Sequence, residues 1–227
     1  MNKLNVIYED NHIIVVEKQP NIPSQADKTE DIDMLTIIKE YIKEKYNKPG
    51  NVYLGLVHRL DRPVGGVMVF AKTSKAASRL SDQVREKIFK KKYLAVVDGR
   101  FEQSKGILEN YLYKDERNNI SKVVNKDKKN AKLAKLEYEV LKYDEKINLS
   151  LVRVKLYTGR HHQIRVQFAS RNHSLYGDQK YGTRGRGKQL CLWAYKLSFA
   201  HPTTKEHLEF TDYPEPIGSW VILKDEE

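Results

Sequence analysis

The sequence is poor in cysteine and in long hydrophobic runs. Cys191 is the only cysteine among 227 residues, so no internal disulfide can form, and this predicts a protein of a reducing compartment, the cytoplasm. No run approaches the roughly 18 consecutive apolar residues of a membrane-spanning helix, and acidic residues near the start argue against a secretory signal. Because hydrophobic residues still make up 40% of the chain, global disorder is excluded.

Acidic residues are scarce in the middle of the chain. Overall there are 41 lysines and arginines against 30 aspartates and glutamates, a net charge of +11. Residues 51–200 carry 32 basic and 14 acidic side chains, whereas both ends are net acidic. The basic residues concentrate in 114–135 and 153–190, and Asp178 is the only acid of the second segment. This distribution predicts a polyanionic partner such as nucleic acid, although charge alone leaves a merely solvated basic surface equally open.

Short β-rich runs dominate the pattern. Three pairs of them flank turn residues and predict hairpins, at 5–8 with 12–17, at 134–143 with 148–157, and at 190–199 with 207–211. Further strands are expected at 65–72 and 92–98. Polar residues 114–131 have almost no periodicity and are expected to form a mobile basic loop. We therefore expect a single α+β domain over residues 1–227, with a mixed, largely antiparallel central sheet, flanking helices and a basic cleft.

Apolar residues at intervals of three and four predict helices between the strands. The first helix covers residues 33–46 and begins at Asp33 as its N-cap. Ser74 is expected to cap the second helix. The apolar face of this second helix would consist of Ala77, Leu80, Val84 and Ile88.

The segment His58–Asp61 is the first candidate for chemistry. It lies in a turn before a strand, and Pro63 and the glycine pair 65–66 follow, so the backbone is sharply shaped and a ligand can approach closely. Asp61 stands beside two cationic residues and can act as a nucleophile that is kept ionised. An aspartate that simply caps the turn is the alternative, and spacing alone favours that alternative.

The segment Gly159–Arg165 is a second candidate, at the point where a strand ends and a helix over 161–171 is expected to begin. Arg165 lies at or beyond the edge of the apolar face of that helix. Consecutive helix residues point about 100° apart, so His161 and His162 cannot easily share a metal ion. No metal site is therefore expected. Phosphate contact and simple packing of the histidines remain equally open.

Tyr93 follows three lysines at the start of a predicted strand. A tyrosine in basic surroundings can stack on a nucleobase or serve as a general acid or base. An ordinary strand aromatic is the alternative. The chain has 14 tyrosines, so composition favours this alternative.

Five stretches, in order along the chain, resemble motifs of the RluA-type pseudouridine synthases. HRLDRPVGG (58–66) resembles the H-R-L-D-x-x-[TS]-S-G motif of that family. Other stretches match family motifs in order and spacing: YEDNHIIVVEKQPNIPSQ (8–25), KKYLAVVDG (91–99), GRHHQIRVQFASRNHSLYGDQKYG (159–182) and LCLWAYKLSFAHPTTKEHLEF (190–210). The resemblance runs from about residue 5 to 215 and covers the catalytic domain, without the S4 RNA-binding module that many relatives carry.

This resemblance implies the pseudouridine synthase fold and the isomerisation of uridine in RNA to pseudouridine, with no metal or organic cofactor. Asp61 corresponds to the catalytic aspartate, which acts while the N-glycosidic bond is cleaved. Tyr93 corresponds to the pocket tyrosine, which stacks on the base and can take the proton from C5. Arg165 corresponds to the arginine that pairs with the aspartate.

The resemblance also implies RNA contacts. Arg59 corresponds to the arginine that can fill the space left by a flipped nucleotide, and Ile164 to an apolar wall of the pocket. Arg160 and His161 are candidates for further RNA contacts. The expected partner is ribosomal or transfer RNA, with no membrane and no obligate protein partner. A non-catalytic RNA-binding or chaperone protein on the same fold is the main alternative, because a metal-dependent nuclease would need clustered carboxylates that the sequence lacks.

The chain departs from the family pattern at three places. Val64–Gly66 stands where Thr-Ser-Gly is usual, and Pro63 precedes it. His161 stands where threonine is commoner. In Lys18–Pro20 a glutamine separates the lysine and the proline, which are commonly adjacent. These changes leave the reacting groups in place but remove a basis for assigning the target RNA.

Overall fold

A computed structural model describes residues 4–27, 29–183 and 187–224. The chain forms two compact units, one of residues up to Lys91 with Ala194–Tyr213 and one of Lys92–Trp193 with the residues from Pro214 onward. The elements in chain order are β1 (Val6–Glu9), β2 (Ile13–Lys18), α1 (Met34–Lys45), β3 (Gly55–Leu56), β4 (Gly65–Ala71), α2 (Ser74–Arg85), β5 (Lys90–Asp98), β6 (Lys105–Asp115), β7 (Ile120–Val124), β8 (Lys132–Asp144), β9 (Leu149–Leu156), α3 (Gln163–Ala169), β10 (Leu192–Ala200), β11 (His207–Thr211) and the 3₁₀ helix η1 (Gly218–Leu223). The single domain over 1–227 stays a prediction.

In the first unit the strand order is β1-β2-β4-β10, with β3 also on β4 and β11 on β10. All seven residues of β4 are buried, which explains its continuous apolar run, since a central strand is covered on both faces. Strands β2 and β4 are antiparallel, and the register runs from Ile13 opposite Ala71 to Lys18 opposite Gly66. This register brings the end of β2 beside the loop that leads into β4.

Helix α2 differs in detail from its prediction. Its N-cap is Thr73 rather than Ser74, because the Thr73 hydroxyl accepts from the backbone N–H of Ala76 (3.1 Å). The buried residues are Ala76, Leu80 and Gln83, whereas Val84 and Ile88 are exposed. The Gln83 amide faces the sheet because it bonds both the carbonyl and the N–H of Ala200 (2.7 and 2.8 Å). Helix α1, in contrast, has its expected N-cap at Asp33.

In the second unit the strand order is β5-β9-β8-β6-β7, and each of these pairings is antiparallel. The three predicted hairpins all form, as β1–β2, β8–β9 and β10–β11. The α+β class and the largely antiparallel sheet are therefore confirmed. Within the described ranges, no helix combines the length and apolar character needed to cross a membrane.

The prediction of a loop over 114–131 is wrong in part. Strand β6 continues to Asp115, and Ile120–Val124 pairs with it as β7. A turn joins the two strands, and the Asp115 carboxylate accepts from the backbone N–H of Asn118 (3.2 Å) to close it. Because β7 ends the strand order and most of its side chains are not buried, it needs no alternation of apolar residues. Its sequence therefore lacks the pattern that predicts a strand.

Candidate active site

Asp61 lies half-buried in the loop between β3 and β4. The backbone N–H of Val64 donates to the Asp61 carbonyl (2.9 Å) and closes a turn immediately before β4. On the other side, the Ser24 hydroxyl donates to the Leu60 carbonyl (2.8 Å) and accepts from the Leu60 N–H (3.2 Å). The backbone that presents Asp61 is therefore hydrogen-bonded both before and after the aspartate.

Lys18, at the end of β2, anchors the same loop. Its side chain is fully buried, and Nζ donates to the carbonyls of Gln19 (3.2 Å), Arg62 (3.0 Å) and Val64 (2.6 Å). Burial lowers the pKa of Lys18 to about 7, the charge of Asp61 opposes this shift, and Arg62 adds to it. The sequence pattern draws attention to Lys18 only because Gln19 separates it from Pro20, and it does not predict this anchoring role. A lysine at the end of a strand that begins with four buried apolar residues is the signal that could have identified it.

We expect the contribution of Lys18 to stability to depend on pH. Because the folded-state pKa lies near 7 and the unfolded value near 10.4, the unfolded chain binds the extra proton between these pH values. The free energy of unfolding of the wild type, compared with Lys18→Met, should therefore rise by about 1 kcal/mol per pH unit from pH 7 to 9.5. Urea titrations of both proteins across this range measure the difference. A difference that does not change with pH would contradict the prediction.

His58 and Arg59 precede Asp61 and differ in exposure. His58 is buried, and its Nε2 accepts from the backbone N–H of Val69 (3.1 Å). Burial first, and then the charge of Lys91, lower the pKa of His58 well below its ordinary value. The imidazole is therefore neutral and supports the start of the loop. Arg59 is exposed.

Helix α3 is short and enclosed on all sides, since Gln163–Phe168 are all buried. The chain enters it through His162, whose φ of 52° is left-handed. The Gln163 amide oxygen then accepts from the Thr158 hydroxyl (2.7 Å) and the Arg160 N–H (3.0 Å). Arg165, expected off the apolar face or at its edge, is buried too, because a buried partner meets it inside the unit.

That partner is Asp178. Arg165 Nε and Nη2 donate to the two carboxylate oxygens of Asp178, each at 2.7 Å. The Asp178 side chain is wholly buried, and that of Arg165 is 5% exposed. The Arg165 guanidinium also lies 5.2 Å from the centre of the Tyr181 ring. The guanidinium plane is consequently fixed by a two-pronged ion pair and by an aromatic contact.

Tyr93 lies on β5, opposite Val154 of β9. Strand β5 begins with three lysines and becomes buried at Tyr93, which is 5% exposed. The phenol is thus held in a packed strand at the boundary between cationic and apolar residues. Among residues 4–27, 29–183 and 187–224, no group of three or more His, Cys, Asp or Glu side chains could hold a metal ion.

A family model described as RNA pseudouridylate synthase matches residues 12–170. The chain belongs to this family. The match includes Asp61, Tyr93 and Arg165, and it establishes an isomerase that acts on RNA.

Curated relatives are also named pseudouridine synthases. An "uncharacterized RNA pseudouridine synthase" of Aquifex aeolicus (strain VF5) is 35% identical over 96% of this chain and 73% of its own length. The protein YjbO of Bacillus subtilis (strain 168), named in the same way, is 34% identical over 98% of this chain and 76% of its own. The ribosomal large subunit pseudouridine synthase C of Haemophilus influenzae (strain Rd) is 29% identical over 90% of this chain and 63% of its own.

Solved structures of pseudouridine synthases have the same fold. Human RNA pseudouridylate synthase domain containing 4 superposes with a TM-score of 0.78 at 21% identity, over 97% of this chain and 92% of that one. Human RNA pseudouridylate synthase domain containing 1 gives 0.77 at 24% identity, over 96% and 86%. The expected pseudouridine synthase fold is therefore confirmed.

The remaining predicted RNA contacts of this pseudouridine synthase all lie in or just before α3. Ile164 is 4% exposed. Arg160 is exposed just before the start of α3, and its Nε donates to the Leu133 carbonyl (2.8 Å). His161 stacks on His162 with ring centres 3.7 Å apart and contacts the Ser121 hydroxyl. Their roles toward RNA stay predictions.

Proposed function

We propose that this RNA pseudouridine synthase isomerises specific uridines in structured ribosomal or transfer RNA, with Asp61 as the catalytic aspartate. The observation that supports the proposal best is the anchoring of the Asp61 loop by a buried lysine and by Ser24. A carboxylate that must react in one orientation needs a backbone that holds it in a fixed position. The proposed place of action is the cytoplasm, with no obligate protein partner.

The proposed reaction exchanges one bond to the ribose for another. The target nucleotide leaves the stack, at a cost of a few kcal/mol. Asp61 assists cleavage of the bond between N1 and the ribose, the freed uracil rotates, and C5 bonds to the ribose. The proton displaced from C5 is lost and N1 gains a proton, so the composition of the nucleotide is unchanged. Tyr93 stacks on the base and can accept the C5 proton, and Arg165 provides the positive charge that the carboxylate requires.

Binding of RNA is proposed to use Arg59, Ile164, Arg160 and His161 together with the basic segment 114–135. Arg59 takes the space of the flipped nucleotide, Ile164 lines the pocket, and Arg160 and His161 contact the RNA backbone. The hairpin of β6 and β7 and the turn after it carry exposed lysines. Such lysines neutralise phosphates without reading sequence.

We expect the lysines in this turn and directly after it to set the salt dependence of RNA binding. Lys126, Lys129 and Lys132 are exposed, so a triple alanine variant should bind RNA about tenfold more weakly at physiological salt. The slope of log affinity against log salt should also become about 2 smaller. Filter binding of ribosomal RNA over a salt series measures both quantities. The matched control replaces Lys39, Lys43 and Lys75, which are exposed in the other unit, and an equal loss there would contradict the assignment.

The proposed function is tested by mapping pseudouridine in total RNA from cells with and without the gene. Restoration by the wild type and not by Asp61→Asn is the expected result, and the positions that disappear name the target. If cells with and without the gene have the same pseudouridines while the purified protein binds RNA, the alternative of a non-catalytic RNA-binding protein is correct instead.

A further inference from the structure

We infer that Asp178 and Tyr181 are positioning residues that orient the Arg165 guanidinium for catalysis. This inference rests on the role proposed above for Arg165. Its evidence is the two-pronged ion pair of Arg165 with Asp178 and the Tyr181 ring beside the same guanidinium. All three residues belong to the second unit.

The Asp178 carboxylate is itself held in place. Besides the two arginine contacts, its Oδ1 accepts from the backbone N–H groups of Lys180 (2.9 Å) and Tyr181 (3.2 Å). These four contacts occupy the carboxylate on both oxygens. The side chain is wholly buried, so the carboxylate has one orientation and imposes it on Arg165.

The backbone that carries Asp178 is fixed to the strand that carries Tyr93. The N–H of Tyr176 donates to the Val96 carbonyl on β5 (2.9 Å). Gly177 follows with a left-handed φ of +77°, and a Cβ there would lie 1.9 Å from the Gln189 carbonyl oxygen. Only glycine fits this approach. Asp178, and through it Arg165, is therefore placed relative to Tyr93 by main-chain contacts.

Tyr181 connects the guanidinium to the basic hairpin. Its hydroxyl accepts from the backbone N–H of Ser121 on β7 (2.6 Å) and bonds His162 Nδ1 (2.8 Å). Burial and nearby cations lower the pKa of His162 to about 2, so the ring that meets the Tyr181 hydroxyl is neutral. Lys180 Nζ also donates to the carbonyl of Asn119, in the hairpin turn (2.9 Å). The segment 178–181 thus contacts both Arg165 and the hairpin proposed to bind RNA.

Stability alone does not account for this ion pair. Taking both charges out of water costs several kcal/mol, and buried pairs can often be replaced by apolar residues without loss of stability. The ion pair instead fixes the orientation of Arg165, because a planar guanidinium held along one edge can present its other edge in only one plane.

The test is a double-mutant cycle in a single-turnover assay, on RNA that carries tritium at C5 of uridine and comes from cells lacking the gene. Tritium release to water reports the rate, and filter binding reports RNA affinity. We expect Asp178→Asn to slow the rate about 100-fold with the dissociation constant changed less than threefold. In an Arg165→Ala background, Asp178→Asn should cause no further loss, because a positioning residue acts only through its partner.

The matched control is Asp144→Asn. Asp144 accepts from the N–H groups two and three residues on, as Asp178 does, but it has no arginine partner among the residues that the structure describes. This variant should keep the wild-type rate. If Asp178→Asn does not fold, Tyr181→Leu takes its place in the cycle, and Asp144→Asn remains the control.

The outcomes separate the two proposals. A normal rate for Arg165→Ala would overturn the catalytic role of Arg165. If Arg165→Ala is slow but Asp178→Asn is normal, or if the two losses simply add, the positioning role alone is overturned.

Discussion

Asp61→Asn is expected to bind RNA with nearly wild-type affinity and to form no detectable pseudouridine. The amide has the shape of the carboxylate but lacks its charge and nucleophilicity. We therefore expect the single-turnover rate to fall about 10³-fold or more. The loop should persist, because its anchors at Lys18 and Ser24 bond main-chain atoms rather than the Asp61 side chain. Tritium release and filter binding measure the two quantities.

The substitution has a second consequence that can be measured independently. The Asp61 charge opposes the lowering of the Lys18 pKa by burial, so its removal should lower that pKa further.

Asp144→Asn again serves as the matched control and should keep both activity and affinity. Activity of Asp61→Asn within tenfold of the wild type, in a preparation free of host enzyme, would remove Asp61 from the mechanism.

Lys18→Met is expected to lose both stability and rate. Methionine fills a similar volume but donates nothing, so the carbonyls of residues 19, 62 and 64 each lose one donor, and that of residue 62 keeps the Asn21 N–H. Removing this donor from one buried and two partly buried carbonyls should cost about 2–4 kcal/mol in the free energy of unfolding. Because two of the carbonyls lie within three residues of Asp61, we also expect the rate to fall about 10- to 100-fold under conditions where the variant is folded.

Urea titration near pH 7 measures the stability of Lys18→Met, and single-turnover tritium release measures its rate. The matched control is Lys39→Met, since Lys39 is exposed on α1, and it should change neither quantity appreciably. A folded Lys18→Met protein with the wild-type rate would show that the carbonyl anchors do not position Asp61.

The sequence predicted those elements whose patterns are local. Strand β4 reads as one apolar run because it is covered on both faces, and Asp33 begins α1 because its carboxylate caps the backbone beside it. The prediction failed where a tertiary contact decided the outcome. Gln83 faces the sheet only because Ala200, 117 residues away, offers it two backbone groups. Strand β7 forms because β6 pairs with it, although its own composition resembles that of a loop.

The candidate site likewise contains residues that the sequence identifies and residues that only the folded structure identifies. Asp61, Tyr93 and Arg165 lie in motifs that are visible along the chain. Their supports are not, because Lys18 reaches the Val64 carbonyl across 46 positions and Arg165 meets Asp178 across 13. No spacing rule for a single strand or helix connects such residues, so only the folded backbone shows them.

The loop of Asp61 is secured through peptide groups, and this bears on how the enzyme can diverge. Lys18 and Ser24 bind carbonyl or amide atoms, which every amino acid supplies. These anchors therefore do not depend on the side chains at 62–64, which fits a Pro63-Val64 pair in an otherwise familiar motif. Laboratory evolution toward new RNA targets has most room at position 63, because Val64 is buried and Arg62 pairs with Asp31, whereas randomising residues 18 or 24 should yield mostly inactive clones.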